Sequence, residues 1–256
     1  MYLKTGHTSC RKWIDNPPLI DTSFVDVVTF AKMDFLDYYV SQTSQVVAFL
    51  KAKVLKKETP IYLIGNSQGG RVAIKYTLLN PKKVQKLILY SSGVLDMKIQ
   101  EIYRWRQLAD AKKITADEAQ KNIDAVYKNY LELKEYCDYF KKNSERSELK
   151  NKMELVSHYN TLASYAYNFE ISLDDLLKVN IPVLSVYGSD DLKCRDNDML
   201  PLYFARANKS NLTMMPMLNC NHLFIQTIID KETGSKSEKY IGDEVFGRIE
   251  KWLSSK

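Results

Sequence analysis

Residues 61–70, IYLIGNSQGG, run from a short apolar stretch straight into a serine that has glycine two residues before it and two after. The stretch 61–65 reads as a buried β-strand. The apolar spacing of GRVAIKYTLLN (70–80) reads as a helix, stopped by Asn80-Pro81. A serine on so tight a strand-to-helix turn must take a strained backbone conformation to lift its hydroxyl above the sheet. Side chains at positions 65 and 69 are expected to collide with the neighbouring strand and helix, which explains glycine at both, and Gly70 lets the helix approach closely. The turn also aims the first N–H groups of the helix at whatever becomes attached to Ser67, an arrangement suited to an oxyanion.

The alternation continues outward in both directions. FVDVVTF (24–30) reads as a strand, SQTSQVVAFLKAKVL (41–55) as a helix and VQKLILYSS (84–92) as a strand. Strands alternating with helices imply a doubly wound, mostly parallel sheet with helices on both faces, an α/β fold. From 95 to 178 the pattern is almost wholly helical. Thr115 and Glu118 form a capping box, and the helix they open carries Ile123, Val126, Tyr127, Tyr130, Leu133, Cys137 and Phe140 along one stripe. Alternation then resumes with strand 181–188, helix 199–207, strand 211–217 and a closing amphipathic helix at 242–253. The expected organisation is a core of 1–94 and 179–256, interrupted by a helical cap of 95–178 that acts as a lid.

Composition narrows the class of partner. With 256 residues, 45% hydrophobic and 27% charged, the chain can bury the core of an ordinary globular protein. The net charge of +6 is spread over lysines interleaved with acids, as in KKETP and DKETGSKSEK, which is the pattern of a solvated surface and not of a nucleic-acid footprint. No apolar run approaches a membrane span, and MYLKTGHTSCRK has no signal-type apolar stretch, so a cytoplasmic location is expected. Cys10, Cys137, Cys194 and Cys220 have no C-x-x-C spacing and read as free thiols in a reduced compartment. A zinc site drawn from Cys10, Cys194, Cys220 and His222 would follow no recognised ligand spacing, and a zinc-bound His222 could not act as a base. Neither metal nor cofactor is expected.

An acid and a base complete the pattern. VYGSDDLKC puts Asp190 and Asp191 just past the C-terminal end of a strand, where ligands gather in open α/β sheets. LNCNHLFIQ puts His222 on a loop after the strand 211–217; the other histidines are His7 and His158. Taken singly, each is equally a loop residue. Serine, aspartate and histidine in this chain order match one large class of hydrolases.

From near its N-terminus to the closing helix, the chain resembles the α/β-hydrolase superfamily. LIGNSQGG resembles the nucleophile elbow, NPKKVQKLILYSSG the helix end and following strand, IPVLSVYGSDD the acid strand and CNHLF the base loop. The resemblance implies Ser67 as nucleophile, His222 as base and Asp191, three residues after the strand's glycine, as the orienting acid. Asp96 is the main rival acid, since some members carry theirs after the sixth strand, and Asp190 is a weaker one. It also implies two oxyanion donors, the backbone N–H of Gln68 and that of His7. The second follows Thr5-Gly6, where members have His-Gly. Members usually have two strands before this loop and only MYLK precedes it here, so either the sheet lacks those strands or the sequence begins late. A sheet without them would expose strand 24–30 as an edge. AKMDFLDYY stands where a glycine-containing loop is usual.

The activity this resemblance implies is hydrolysis of a carboxylic ester, thioester or lactone of a small to medium, largely uncharged acyl compound, through an acyl-enzyme. GNSQGG also resembles the elbow of meta-cleavage-product hydrolases, which break carbon–carbon bonds with the same triad. A ligand receptor on this fold with little turnover is the reading from another class. Serine at the elbow argues against the epoxide hydrolase and haloalkane dehalogenase chemistries, which use a carboxylate nucleophile. The helical segment is rich in aromatic side chains (Tyr103, Trp105, Tyr127, Tyr130, Tyr136, Tyr139, Phe140, Tyr159, Tyr165, Tyr167). Most are expected to form its own core, and some to line an apolar pocket. No feature of the sequence encodes an oligomeric state.

Overall fold

The computed structural model describes residues 35–56, 58–95, 97–143 and 172–255. The expected strand at 24–30, the loop at 5–7 with His7, and Cys10, Asp96 and His158 lie outside the described residues. The chain divides into two compact units, one made of 1–50 and 105–170, the other of 51–104 and 171–256.

The second unit holds the sheet. Strands β1 (Tyr62–Asn66), β2 (Lys86–Tyr90), β3 (Val183–Gly188) and β4 (Leu212–Met217) are all parallel, in the spatial order β1-β2-β3-β4. Helix α2 (Gly69–Leu79) crosses from β1 to β2. It ends where Asn80 returns its backbone N–H to Tyr76 and Thr77 and its side-chain amide to Tyr76, and Pro81 cannot continue it. Every residue of β3 is buried, as expected of a strand covered on both faces.

Alternation along the strands sorts the core into two layers. Leu87 and Leu89 of β2 and Val183 of β3 pack with Ala73 and Ile74 of α2 and with Leu200 and Phe204 of a helix at Leu200–Arg206. Ile88, Leu184, Val186, Met215 and Met217 point the other way, onto Val245 and Ile249 of the closing helix at Gly242–Ser254. The ammonium of Lys86, at the foot of β2, donates to the carbonyls of Trp252, Leu253 and Ser255 at 2.7–3.1 Å and so caps that helix at its negative end.

The first unit contributes most of helix α1 (Phe35–Lys53), the end of α3 (Met97–Asp110) and α4 (Ala116–Asn143). The capping box forms as the sequence implies: Glu118 N–H donates to Thr115 Oγ1 at 3.1 Å, and Glu118 Oε2 accepts from Thr115 N–H at 2.8 Å. The buried stripe of α4 runs through Ala119, Ile123 and Val126. Tyr127 was expected on it but is 55% exposed, because it sits on the flank of that stripe. No helix among the described residues is long and apolar enough to cross a membrane.

One element escapes the sequence reading. Between β4 and the closing helix, Ile225–Ile229 (β5) and Lys236–Tyr240 (β6) pair as an antiparallel hairpin. Its turn is tied by Asp230, whose carboxylate accepts from Glu232 N–H and from both the N–H and the hydroxyl of Thr233, with Gly234 at φ +68°. β6 is exposed along its whole length, so it lacks the apolar alternation by which strands are recognised.

Candidate active site

Ser67 follows β1 directly and has φ +51°. A left-handed backbone costs a non-glycine residue about 1–3 kcal/mol and persists only where its surroundings hold it. Two hydrogen bonds do so: Ser67 N–H donates to Tyr90 O on β2 at 2.9 Å, and Ser67 O accepts from Gly70 N–H at 3.0 Å. The strain is not isolated. Ser91, at the end of β2, and Asn219 and Phe224, on either side of His222, also have positive φ. For a residue as bulky as phenylalanine this is a genuine outlier. It is held by burial of the Phe224 ring 4.5 Å from that of Tyr90, whose carbonyl also takes the Ser67 N–H. Tyr90 thus braces both the serine turn and the histidine loop.

The glycines around Ser67 are not equivalent, which corrects one expectation. A Cβ on Gly65 would lie 2.5 Å from both Gly69 O and Gly70 Cα, so no side chain fits there. A Cβ on Gly70 would lie 1.8 Å from Ser92 Oγ. One on Gly69 would meet nothing within 4 Å, so the collision expected at that position does not occur. Gly69 opens α2 and its missing side chain points into open space; the close approach is made one residue later.

Ser67, Asp191 and His222 come together above the C-terminal ends of the strands. His222 Nε2 is 3.2 Å from Ser67 Oγ, and His222 Nδ1 is 2.8 Å from Asp191 Oδ2. The second oxygen of Asp191 accepts from Lys193 N–H at 2.8 Å, and the whole carboxyl is buried. Asp190 is exposed. Its backbone N–H goes to Cys220 O and its carboxylate accepts from the Ser189 hydroxyl, so of the two neighbouring aspartates Asp191 faces the imidazole. With Nδ1–H donated to Asp191, the Nε2 lone pair is directed at the Ser67 hydroxyl. The strand and the histidine loop can approach this closely only because residue 188 is glycine: a Cβ there would lie 2.1 Å from Cys220 O and 2.6 Å from Asn221 O.

Two further side chains flank this group: Cys194, which the sequence set beside His222 only as a zinc candidate, and Asp196, which carries no signal in the sequence. The Cys194 thiol donates to Ser91 O at 3.2 Å and sits 3.9 Å from His222 Nδ1. Burial, then the charges of Asp191 and Asp196, push that thiol well up, so it is neutral. Asp196 is also buried. Its Oδ2 accepts from the backbone N–H of Val94 at 2.6 Å and of Leu95 at 2.8 Å, pinning the segment after β2, while the Arg71 side chain donates to Leu95 O. Among the described residues, Asp191, Cys194 and His222 bring three potential metal-ligand atoms within 4.8 Å of one another. The Cys220 thiol turns instead to Leu218 O. Gln68, between Ser67 and Gly69, is the N-cap of α2.

A family model described as serine aminopeptidase, S33, matches residues 29–222. No curated protein matches the chain in sequence. Among solved structures, the chain is similar to the α/β hydrolase MGS-MChE2 from a sediment metagenome of the Mar Chica lagoon, Morocco (17% identity, 75% of this chain and 65% of that one, TM-score 0.40). It is also similar to an esterase from Thermogutta terrifontis (16%, 85% and 71%, TM-score 0.45) and a meta-cleavage product hydrolase from Pseudomonas fluorescens IP01 (14%, 85% and 70%, TM-score 0.44). The chain spans slightly less than two thirds of the length of the first of these. The matched family segment runs through the parallel sheet and the serine turn and ends on His222 itself, and the chain belongs to the α/β-hydrolase superfamily, in the family described as serine aminopeptidase, S33.

Proposed function

We propose that the protein is a serine hydrolase that cleaves a carboxylic ester, thioester or lactone of a small to medium, largely uncharged acyl compound. The observation that carries this reading is the continuous relay from Asp191 Oδ2 through His222 to Ser67 Oγ, with links of 2.8 and 3.2 Å. Ser67 Oγ attacks the carbonyl carbon as His222 Nε2 takes its proton. Asp191 holds the imidazole in the tautomer that can accept and stabilises the imidazolium that results. The carbonyl oxygen, now an anion, takes the backbone N–H of Gln68 at the start of α2, and the family resemblance implies the N–H of His7 as second donor; removing one such donor typically costs about 3 kcal/mol. His222 then gives its proton to the departing alcohol or thiol. Water repeats the sequence on the acyl-enzyme, releasing the acid and restoring Ser67.

Selectivity is assigned to the helical cap of 95–178 and to the loops, since a sheet of this kind hosts many chemistries. Tyr103, more than half exposed, is a candidate for contact with an apolar acyl group. The test is a panel of p-nitrophenyl esters of increasing acyl length, lactones, an aryl dienoate for carbon–carbon cleavage and an aminoacyl p-nitroanilide, the last because the family is described as an aminopeptidase. Ser67→Ala serves as the blank. Hydrolysis of short and medium esters, with covalent labelling of Ser67 by a fluorophosphonate, is the expected result. Folded protein that shows neither overturns the reading.

A further inference from the structure

The chain leaving β2 binds first the serine turn and then the loop that carries Asp191. Tyr90 O takes the Ser67 N–H at 2.9 Å, and Ser91 O takes the Cys194 thiol at 3.2 Å. The N–H groups of Val94 and Leu95 both go to Asp196 Oδ2, at 2.6 and 2.8 Å, while the Arg71 side chain donates to Leu95 O. Arg71 lies on α2 one turn beyond Ser67, and Asp196 lies on the loop beyond Asp191. Leu95 is thus held at its N–H by the loop of the acid and at its carbonyl by the helix of the nucleophile. The sheet order explains why. β2 lies between β1 and β3, and all three are parallel, so the chain that follows β2 runs between the segments that follow its two neighbours. Val94 O also takes the Ser172 N–H at 3.0 Å, where the chain comes back toward β3.

Stability alone does not account for Asp196. It is 3% exposed, and its Oδ1 has no hydrogen-bond partner among the described residues. Burial raises its carboxyl above the ordinary range, so the group sits where a charge is disfavoured. We propose that Asp196 is a positioning residue for hydrolysis: by gripping Val94 and Leu95 it fixes the loop that presents Asp191 to His222 and keeps that loop in register with the Ser67 turn. This rests on the proposed roles of Ser67, Asp191 and His222. Asp196 acts through Asp191 and Cys194 on one side and through Leu95 and Arg71 on the other. Without its grip the loop keeps its ties to β3, since Ser185 Oγ donates to Asn197 Oδ1 at 2.7 Å and Asn197 Nδ2 donates to Cys194 O at 2.8 Å. The fold therefore persists, and what is lost is the register toward Ser67.

The test compares Asp196→Ala with Asp196→Asn, whose amide oxygen can still accept from both N–H groups. On the best ester of the panel, Asp196→Ala should lower kcat per folded molecule about 10²-fold with KM unchanged, the usual cost of misplacing a catalytic group by ~1 Å. Asp196→Asn should retain the wild-type kcat. Folded fractions are taken from urea curves, so partial unfolding does not mimic the loss. Iodoacetamide labelling of Cys194, followed by mass spectrometry, reads the loop without any hydrolysis. It should quicken roughly tenfold or more in Asp196→Ala and stay slow in Asp196→Asn, because local opening follows the bonds that hold a segment closed. Wild-type kcat or unchanged Cys194 labelling in folded Asp196→Ala overturns the proposal, and so does a lost kcat in folded Asp196→Asn. Should Asp196→Ala fail to fold, Asp196→Ser, too short to span both N–H groups, takes its place under the same criteria. Quickened labelling in a protein that hydrolyses no member of the panel keeps the grip of Asp196 on the loop and rejects the hydrolase reading.

Discussion

Gly65 and Gly188 lie near the C-terminal ends of two parallel strands of one sheet, shortly before Ser67 and Asp191. A side chain is excluded at each for a different reason. At Gly65 the obstacle is the chain's own return at Gly69 and Gly70, four and five residues later. At Gly188 it is the backbone of Cys220 and Asn221, in the loop that follows β4. The first glycine makes a turn possible; the second lets two distant segments meet. The site therefore depends on one local contortion and one long-range approach, and Ser67 reaches His222 only when both are in place.

The comparison is tested most severely by the chemistry that joins the two regions. Ser67→Ala and His222→Ala should each lower kcat for the best ester by roughly 10⁴-fold or more, with the double variant no worse than either, because groups that act as a unit are not additive. Asp191→Asn should cost about 10⁴-fold by favouring the wrong imidazole tautomer. Additive losses would break the single-relay reading. Next come the two glycines. Gly65→Ala and Gly188→Ala should each destabilise the fold by about 1–3 kcal/mol in urea unfolding, the usual range for forced overpacking, and each should lose activity. Unchanged stability and activity in Gly188→Ala would show that the approach at residues 220–221 is not needed.

Gly69→Ala sharpens the same contrast by going the other way. It meets no obstacle and lies in the first turn of a helix, so it should leave activity intact and gain up to about 0.5–1 kcal/mol from helix propensity. Loss of activity there would restore a requirement for glycine on both sides of the serine.

The smallest effect is a slope with pH. Burial raises the carboxyl of Asp196 above its ordinary range, although hydrogen bonds from Leu95 and Val94 and the charge of Arg71 pull the other way. The folded chain therefore binds that proton more tightly than the unfolded chain does. Asp196 contributes most stability below its unfolded value and progressively less as pH rises through the folded one. Urea midpoints followed upward from about pH 4, near the unperturbed aspartate value, should fall more for the wild type than for Asp196→Asn. Parallel curves would remove Asp196 as a strained pin on the segment after β2.

Much of this was legible in the residues alone, for identifiable reasons. The strand, turn and helix around Ser67 are short-range objects, written in a five-residue apolar run, a glycine spacing and a helical period. The capping box of α4 is equally local, and it forms between Thr115 and Glu118 with both reciprocal bonds. The residues alone mislead where a partner comes from elsewhere in the chain. Gly69 and Gly70 look alike in the chain, and only Ser92, just past the end of β2, decides which of them is crowded. The β5–β6 hairpin was missed because both faces of β6 meet water, which leaves no alternation to read. Its turn, with Asp230 and Gly234, was the available signal.

The order of strands and helices, the fold class and the bend at Ser67 follow from periodicity and backbone sterics acting over a few residues, which any reader of the chain can count. The identity of the aspartate facing His222, the thiol beside the same ring and the need for glycine at 188 arise from contacts between segments about 30 residues apart, and the contact of His222 with Ser67 spans 155. Such contacts depend on where strands end in space. The packing of the two core layers sets those positions, and no local pattern encodes them.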